Sequence, residues 1–390
     1  MEVLVSPRDV VIVDAVRTPV GRRNGSLADQ HAVDLSAHVL TALQQRTGID
    51  PAIVDDVIWG VVNQVGMQAL NTARNAVLAA GWPESVPGTT LDRQCGSSQQ
   101  AVHFAAAGIA SGQYDVAIAG GVEIMSRVPI GSSTRVAELG SGHSQAMLDR
   151  YDVTEFNQGT GAEMMAEHWG FSREQVDAFS AHSHAKLANA IDAGRLEGQI
   201  APVTMADGTV FAVDEGLRRG TSVESLAGLK TVFKEDGVIH AGNSSQISDG
   251  AAALLLMSAE KAEELGLEPL ARFHTGVLAG NDPVMMLSAP IPATLKVLER
   301  SGLSIDDIGV FEVNEAFAPV PMAWLKETGA DPDRLNPNGG AIAIGHPLGG
   351  SGARLMTQMV HHMKDQGIRY GLQTMCEGGG MANATILELL

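Results

Sequence analysis

The order of short apolar runs and helical periods that leads up to Gly121 starts again at Ala271, and this internal repeat confines the chain to layered α/β architectures. In the first pass Val10 to Ala15 reads as a buried strand. Leu35, Val39 and Leu43 recur at helical spacing behind Asp34, a natural N-cap, and Val57 to Val62 returns as a strand. A helix over Asn71 to Ala80 stops at Gly81, and Gly88 to Asp92 is extended. Ala101, Phe104, Ala105 and Ile109 form the apolar face of a helix ending near Gly112. A strand over Asp115 to Ala119 is then closed by Gly120-Gly121.

The second pass gives a strand through Val277, a helix over Ile291 to Leu298, a strand at Val310 to Val313 and a helix after Ala316. Gly349-Gly350-Ser351-Gly352 opens a helix that stops at Gly367. Leu372 to Met375 is a strand closed by Gly378-Gly379-Gly380, and Ala384 to Leu387 is the last strand. The matching last strand of the first pass, Ala251 to Met257, is delayed, so a segment is inserted between Gly121 and Gly250. Within it Ser126 to Ser144 reads as loop, and Ser172 with Gln175 forms a capping box ahead of Val176, Phe179, Leu187 and Ile191. By position the insertion covers a ligand or is a plain surface domain. At roughly 150 residues per domain, 390 residues accommodate two such repeats and one insertion.

Acidic residues outnumber basic ones 45 to 26, and the net charge of -19 repels phosphate backbones and anionic membranes. Nucleic acid and membrane are therefore not expected as partners. An anionic ligand has to find a local basic patch, for which Arg218-Arg219, with Lys230 downstream, is the tight candidate. Two cysteines, no long apolar run and an N-terminus carrying Glu2 lead to the expectation of a reducing, cytoplasmic setting.

Cys95 falls between a strand and a helix in Asp92-Arg93-Gln94-Cys95-Gly96-Ser97-Ser98, where free helix N–H groups favour a thiolate. A lone cysteine is more commonly a small buried hydrophobe, yet a glycine-flanked strand-to-helix turn is also where nucleophiles are presented. Cys376 stands before Glu377 and three glycines whose N–H groups can converge on an oxyanion, or which form an ordinary turn. His346 lies in a glycine-dense loop ahead of a helix and can take a thiol proton with a pKa suited to neutral pH. His182, His184, His361 and His362 sit on polar helical stretches, match no zinc spacing and are expected to be solvated; no metal site is expected. Asn314, in Asn314-Glu315-Ala316-Phe317, is an N-cap by default, and its amide can equally hold a water or an imidazole at the sheet edge. A G-x-G-x-x-G after the first strand, a Walker lysine, H-E-x-x-H and G-x-S-x-G are all missing. Sulfur chemistry remains.

Five ordered blocks complete this pattern: Cys95-Gly96-Ser97, Gly120-Gly121-Val122-Glu123-Ile124-Met125-Ser126, Asn314-Glu315-Ala316-Phe317, Gly345-His346-Pro347-Leu348-Gly349 and Cys376-Glu377-Gly378-Gly379-Gly380-Met381. Together they resemble the signature blocks of the thiolase family over nearly the whole chain. The resemblance implies an α/β, five-layer α-β-α-β-α fold of two similar βαβαβαββ halves. The halves would be residues 1–117 with 248–269, and 270–390, with a coenzyme A-covering loop domain at 118–247.

It further implies acyl transfer between coenzyme A thioesters, through cleavage of a 3-ketoacyl-CoA or the reverse Claisen condensation. Cys95 would carry the acyl group, His346 would take its proton, and Cys376 would shuttle a proton at the α-carbon. His346 and a water held by Asn314 would stabilise the enolate, and the backbone N–H groups of Cys95 and Gly378 would form a second oxyanion hole. Arg218, Ser225, Ser245, Met286, Ala316 and Phe317 would contact coenzyme A, a co-substrate rather than a bound cofactor. The resemblance also implies a homodimer or homotetramer. The chain departs from the family at Ser98-Gln99, at Ala382 and at Asn157-Gln158, where acetoacetyl-specific members carry His-Met. That last departure points towards larger 3-ketoacyl chains, branched or steroid-derived. A decarboxylating ketoacyl synthase, which usually has histidine in place of the second cysteine, and a non-catalytic acyl-CoA-binding protein are the competing readings.

Overall fold

The computed structural model describes residues 6–134, 138 and 140–390. Glu2 and positions 135–137 and 139 of the Ser126–Ser144 loop lie outside the described residues.

β1 (Val10–Arg17) is buried along its whole length, and the two-residue β2 (Gly21–Arg22) follows. α1 (Ala32–Thr47) is capped by His31, whose side chain accepts from the Val33 N–H. Asp34 is therefore not the cap. It lies inside the first turn, where its charge favours the helix dipole instead. β3 (Asp56–Gly60), α2 (Thr72–Ala79), β4 (Gly88–Leu91) and α3 (Ser97–Ser111) come next. β5 (Val116–Ile124) does not end at Gly120-Gly121 but runs through them, because the two glycines remain paired to β8 (Ser248–Ser258). The chain leaves between these strands to build α4 (Gln145–Tyr151), α5 (Gln158–Trp169), α6 (Arg173–Asp192), the β6–β7 pair (Val203–Thr204, Val210–Phe211) and α7 (Val223–Ala227). The Ser172–Gln175 capping box at the start of α6 is formed in both directions.

After α8 (Ala259–Glu264) the plan repeats with β9 (Ala271–Gly280), α9 (Pro290–Ser301), β10 (Val310–Val313), α10 (Pro319–Thr328), the short α11 (Ala341–Ile344), α12 (Leu348–Gln366), β11 (Tyr370–Glu377) and β12 (Met381–Leu389). The main sheet runs β10-β11-β12-β9-β1-β8-β5-β3-β4, with β2 set beside β8. One parallel and two antiparallel pairs recur in the same order in the two halves: β3–β5, β5–β8 and β8–β1 in one, β10–β11, β11–β12 and β12–β9 in the other. The halves join through two β1–β9 residue pairs, Val11–Arg272 and Ile12–Ala271. The place of β4 is held in the second half by a single parallel bridge between Phe311 and Leu335.

Three apolar layers follow from this order. α1 and α2 pack on one face of the first half, burying Leu35, Leu40, Ala76 and Val77 against Val57, Trp59 and Ile118. α9 and α10 cover the second half in the same way, around Val297, Trp324 and Phe311. α3 and α12 lie between the halves and share one cluster with β1, β5, β8, Val310 and Leu387. The expected α-β-α-β-α layering is present. Phe104 does not join the central cluster; it is 48% exposed on the outer side of α3. Every residue from Leu348 to Val360 is buried, so α12 is enclosed on all sides over that stretch despite Arg354, Thr357 and Gln358, and only its last turn, Lys364–Gln366, is exposed. Such an approach needs glycine: a Cβ on Gly121 would stand 2.2 Å from the Gly349 carbonyl oxygen, and one on Gly349 would stand 2.6 Å from that of Gly60.

Candidate active site

Between β4 and α3 the chain turns through Asp92–Gly96. Gln94 sits at φ 49°, a left-handed conformation costly for a side-chain-bearing residue. The turn is held from both sides: the Gln94 N–H donates to Asp92 Oδ1 (2.6 Å), the Arg93 N–H donates to Ser97 Oγ (2.9 Å), and Ser97 Oγ donates to the Gln94 carbonyl (2.6 Å). Cys95 is presented at the top of this turn, 4% exposed. Burial, with the Glu377 charge behind it, pushes the Cys95 thiol up to about 12. The expectation of a thiolate favoured by the helix N-terminus is thus corrected. A helix terminus contributes at most ~2 kcal/mol, about one and a half pKa units, and desolvation outweighs it.

His346 is delivered by the second half. Gly345, at φ 117°, turns the chain between α11 and α12; a Cβ there would meet Ser248 Oγ at 2.2 Å. The same Ser248 Oγ accepts from the His346 N–H (3.1 Å). His346 Nδ1 lies 2.6 Å from Ser351 Oγ, and Ser351 Oγ donates to the Pro347 carbonyl (2.9 Å). The hydroxyl has one proton and gives it to that carbonyl, so its oxygen is left to accept Nδ1–H. The lone pair then belongs to Nε2, which lies 3.4 Å from Asn314 Nδ2. Burial and the neighbouring Arg354 cation push the imidazole down to about 3. A histidine that titrates near neutrality is not what forms here; the resting ring is neutral.

Asn314 directly follows β10, and the next helix begins only at Pro319, so it is not an N-cap. Its amide spans the site, reaching His346 on one side and hydrogen-bonding the Cys376 thiol on the other. Its Oδ1 is buried without a hydrogen-bond partner among the described residues. Cys376 near the end of β11 is 1% exposed, and burial followed by the charge of Cys95 raises its thiol well above the usual range. The two cysteines, distant in sequence, are thus close enough for the charge of Cys95 to act on Cys376. Gly378 lies against the same turn, since a Cβ on it would stand 3.0 Å from Gln94 Oε1.

A cavity of about 880 Å3 opens in front of Cys95, walled by Asn63, Ile130, Phe156, Gln158 and Leu348 among others. Of the expected coenzyme A contacts, Met286, Ala316 and Phe317 form one apolar cluster with Cys376, and the Ser245 N–H donates to the Ala316 carbonyl (2.8 Å). Arg218 and Ser225 stand exposed on the insertion with local partners. The Arg218 N–H donates to His184 Nδ1 (3.2 Å), and Ser225 Oγ closes a capping box with Ser222. Arg219, the other half of the basic pair, is committed to Asp192.

Three of the four histidines expected to be solvated are not. His184 and His362 are buried, and His361 Nε2 lies 2.9 Å from the Ala15 carbonyl, because their helices are covered by neighbouring elements. Several site residues escape sequence reasoning. Gln158, the first residue of α5, hydrogen-bonds the Cys95 thiol. Glu123 accepts from the N–H groups of Val62 (3.0 Å), Asn63 (3.1 Å) and Gly349 (2.9 Å), tying the cavity wall to the start of α12. An acid in an otherwise apolar strand was the available signal for Glu123. For Gln158 the sequence offered only its departure from the family pattern.

Two like halves that clasp a buried helix pair, with a cysteine presented by each half and an imidazole and amide between them, define the thiolase class of acyl-transfer proteins. Residues 10–260 match the family described as thiolase, N-terminal domain, and residues 267–389 match thiolase, C-terminal domain. The chain belongs to the thiolase family. It is 52% identical over 387 residues to the steroid 3-ketoacyl-CoA thiolase FadA6 of Mycobacterium tuberculosis, covering 98% of this chain and 94% of that protein. It is 44% identical to a 3-ketoacyl-CoA thiolase of Pseudoalteromonas translucida, covering 97% and 98%. The crystal structure of the Bacillus anthracis acetyl-CoA acetyltransferase superposes with a TM-score of 0.91 at 39% identity, covering 98% and 99% of the two chains.

Proposed function

We propose that this thiolase cleaves bulky 3-ketoacyl-CoA substrates with coenzyme A, releasing acetyl-CoA and a shortened acyl-CoA, through the residues gathered around Asn314. The supporting observation is the chain of contacts Cys376–Asn314–His346 with Cys95 coupled to Cys376, which brings a nucleophile, a base and a second proton carrier together.

The resting thiol and imidazole are both neutral, so proton loss from Cys95 to His346 Nε2 is coupled to formation of the C–S bond with the substrate's C3 carbonyl. The N–H groups of Cys95 and Gly378 receive the oxyanion. The C2–C3 bond then breaks and leaves the enolate of acetyl-CoA, stabilised by His346 and by a water for which Asn314 Oδ1 is a buried acceptor. Cys376 protonates that carbon and acetyl-CoA departs. The thiol of free coenzyme A takes the acyl group from Cys95, and run backwards the same steps are a Claisen condensation. Met286, Ala316, Phe317 and Ser245 line the coenzyme A side, with Arg218 and Ser225 on the insertion towards its nucleotide end. In this reading residues 1–117 with 248–269 and 270–390 are the two halves, and 118–247 is the covering domain. The protein works in the cytoplasm as a homodimer or homotetramer, for which the edge strand β4 offers backbone to a second copy.

The size of the cavity at Cys95 and the name of the mycobacterial relative support a branched or ring-bearing acyl group. A thiolysis profile tests the reading. The expected result is coenzyme A-dependent loss of the magnesium-enolate absorbance, with kcat/KM higher for a ring-bearing 3-ketoacyl-CoA than for acetoacetyl-CoA. Absorbance loss that does not depend on coenzyme A, or a clear preference for acetoacetyl-CoA, would overturn it.

A further inference from the structure

Directly after Cys376 the chain buries a carboxyl that the proposed mechanism leaves idle. Glu377 is 0% exposed, and neither of its oxygens has a hydrogen-bond partner among the described residues. It lies over the backbone of the nucleophile turn: a Cβ on Gly96, the residue after Cys95, would stand 1.9 Å from Glu377 Oε1 and 2.7 Å from Asn383 Nδ2. The Asn383 amide donates to the Gly96 carbonyl (3.0 Å), while Asn383 Oδ1 is buried and unpartnered among the described residues. The charged and titratable groups facing this carboxyl are Asp92 and Arg93 from the turn before α3, Cys95 at the turn itself, and Cys376 on its own strand.

We propose that Glu377 is a positioning residue that sets the reactivity of the cysteine pair through its own protonation: neutral, it leaves Cys95 free to become a thiolate; ionised, it opposes that charge. A buried carboxylate without hydrogen-bond donors is unfavourable, so the neutral carboxyl is the resting form. Burial holds Glu377 up to about 8, with Arg93 opposing and Asp92 adding to the shift. Its charge is in turn among the causes that raise both Cys95 and Cys376. The inhibition therefore switches on as pH rises through about 8. Raising the pH would ordinarily make a thiol more reactive, and here that gain is blunted.

The inference rests on Cys95 being the nucleophile, but its test needs no acyl-CoA. Alkylation of the full-length protein by iodoacetamide, followed at Cys95 by peptide mass mapping across pH 6.5 to 9.5, reads thiol ionisation alone. Glu377→Gln, neutral at every pH, should alkylate Cys95 at the wild-type rate near pH 6.5 and about three- to tenfold faster near pH 9, equivalent to half to one pKa unit. A ratio that stays the same across the range overturns the proposal. Arg93→Met provides a second reading that keeps the carboxyl. Without the cation that favours ionisation, the break in the wild-type profile should move to higher pH, and an unmoved break overturns the proposal equally. Should thiolysis fail while these profiles behave as expected, it is the assignment of function that falls, not this one.

Discussion

At the scale of single residues, the proposed base depends on a serine. Ser351 Oγ fixes which nitrogen of His346 carries the proton, and the opposite tautomer would point an N–H at the place where a lone pair is needed. Ser351→Ala leaves Nδ1 without its buried acceptor, a loss of roughly 1–3 kcal/mol, so kcat should fall about ten- to a hundredfold. Steady-state thiolysis checks this, with unfolding midpoints to show that the fold is intact. An unchanged kcat would contradict the tautomer argument. Cys95, His346, Asn314 and Cys376 are legible in the sequence because each stands where a strand or loop gives way to a helix or a glycine turn, and such junctions are punctuated by residue type. Ser351 and Gln158 are not, since each acts across space on a residue whose environment no local pattern encodes. The protonation states were misread for one reason throughout. Charge and helix position can be read along the chain, but burial, which decides Cys95, His346 and Glu377, is a property of the assembled layers.

Elements were the easier level. Strands buried on both faces give near-continuous apolar runs, as in β1 and β8, and helices end at glycines in left-handed conformation, as at Gly48, Gly302 and Gly367. α12 is the instructive exception. His361 and His362 read as solvated, yet the helix, with Arg354, Thr357 and Gln358 buried in it, is clasped between two half-sheets, a burial only the repeat as a whole produces. The glycines at its start are packing requirements. Gly121→Ala should destabilise the protein by about 1–3 kcal/mol or more, because its Cβ would meet the Gly349 carbonyl oxygen at 2.2 Å. Gly280→Ala, with nothing within 4 Å of the new Cβ, should leave stability within about 0.5 kcal/mol. Urea unfolding of both variants checks the contrast, and equal effects would remove the close-approach argument.

The whole molecule carries its buried titratable groups as a pH-dependent stability. Glu312 and Glu377 keep their protons to about pH 8 when folded but ionise near 4.5 when unfolded. Between those values the folded state binds more protons, and stability falls as pH rises. His103 and His184, held down to about 4, and His346, held down to about 3, act oppositely: the unfolded chain protonates them near 6.5, and stability is lost as pH falls below that. Only above about pH 7.5, one unit beyond their unfolded value, are the histidines essentially neutral in both states, so the thermal midpoint should decline from pH 7.5 to 8.5. Differential scanning calorimetry in matched buffers checks it, and a midpoint that climbs from pH 7.5 to 8.5 would contradict the burial of these acids. The same assembly brings two sulfurs from opposite halves close enough for the charge of one to act on the other, and on that convergence the proposed function depends. Intact-mass spectrometry after incubation with a 3-ketoacyl-CoA tests it most directly. Wild type and Cys376→Ala should each gain one acyl group and Cys95→Ala none; equal acylation of the wild type and Cys95→Ala would contradict the account.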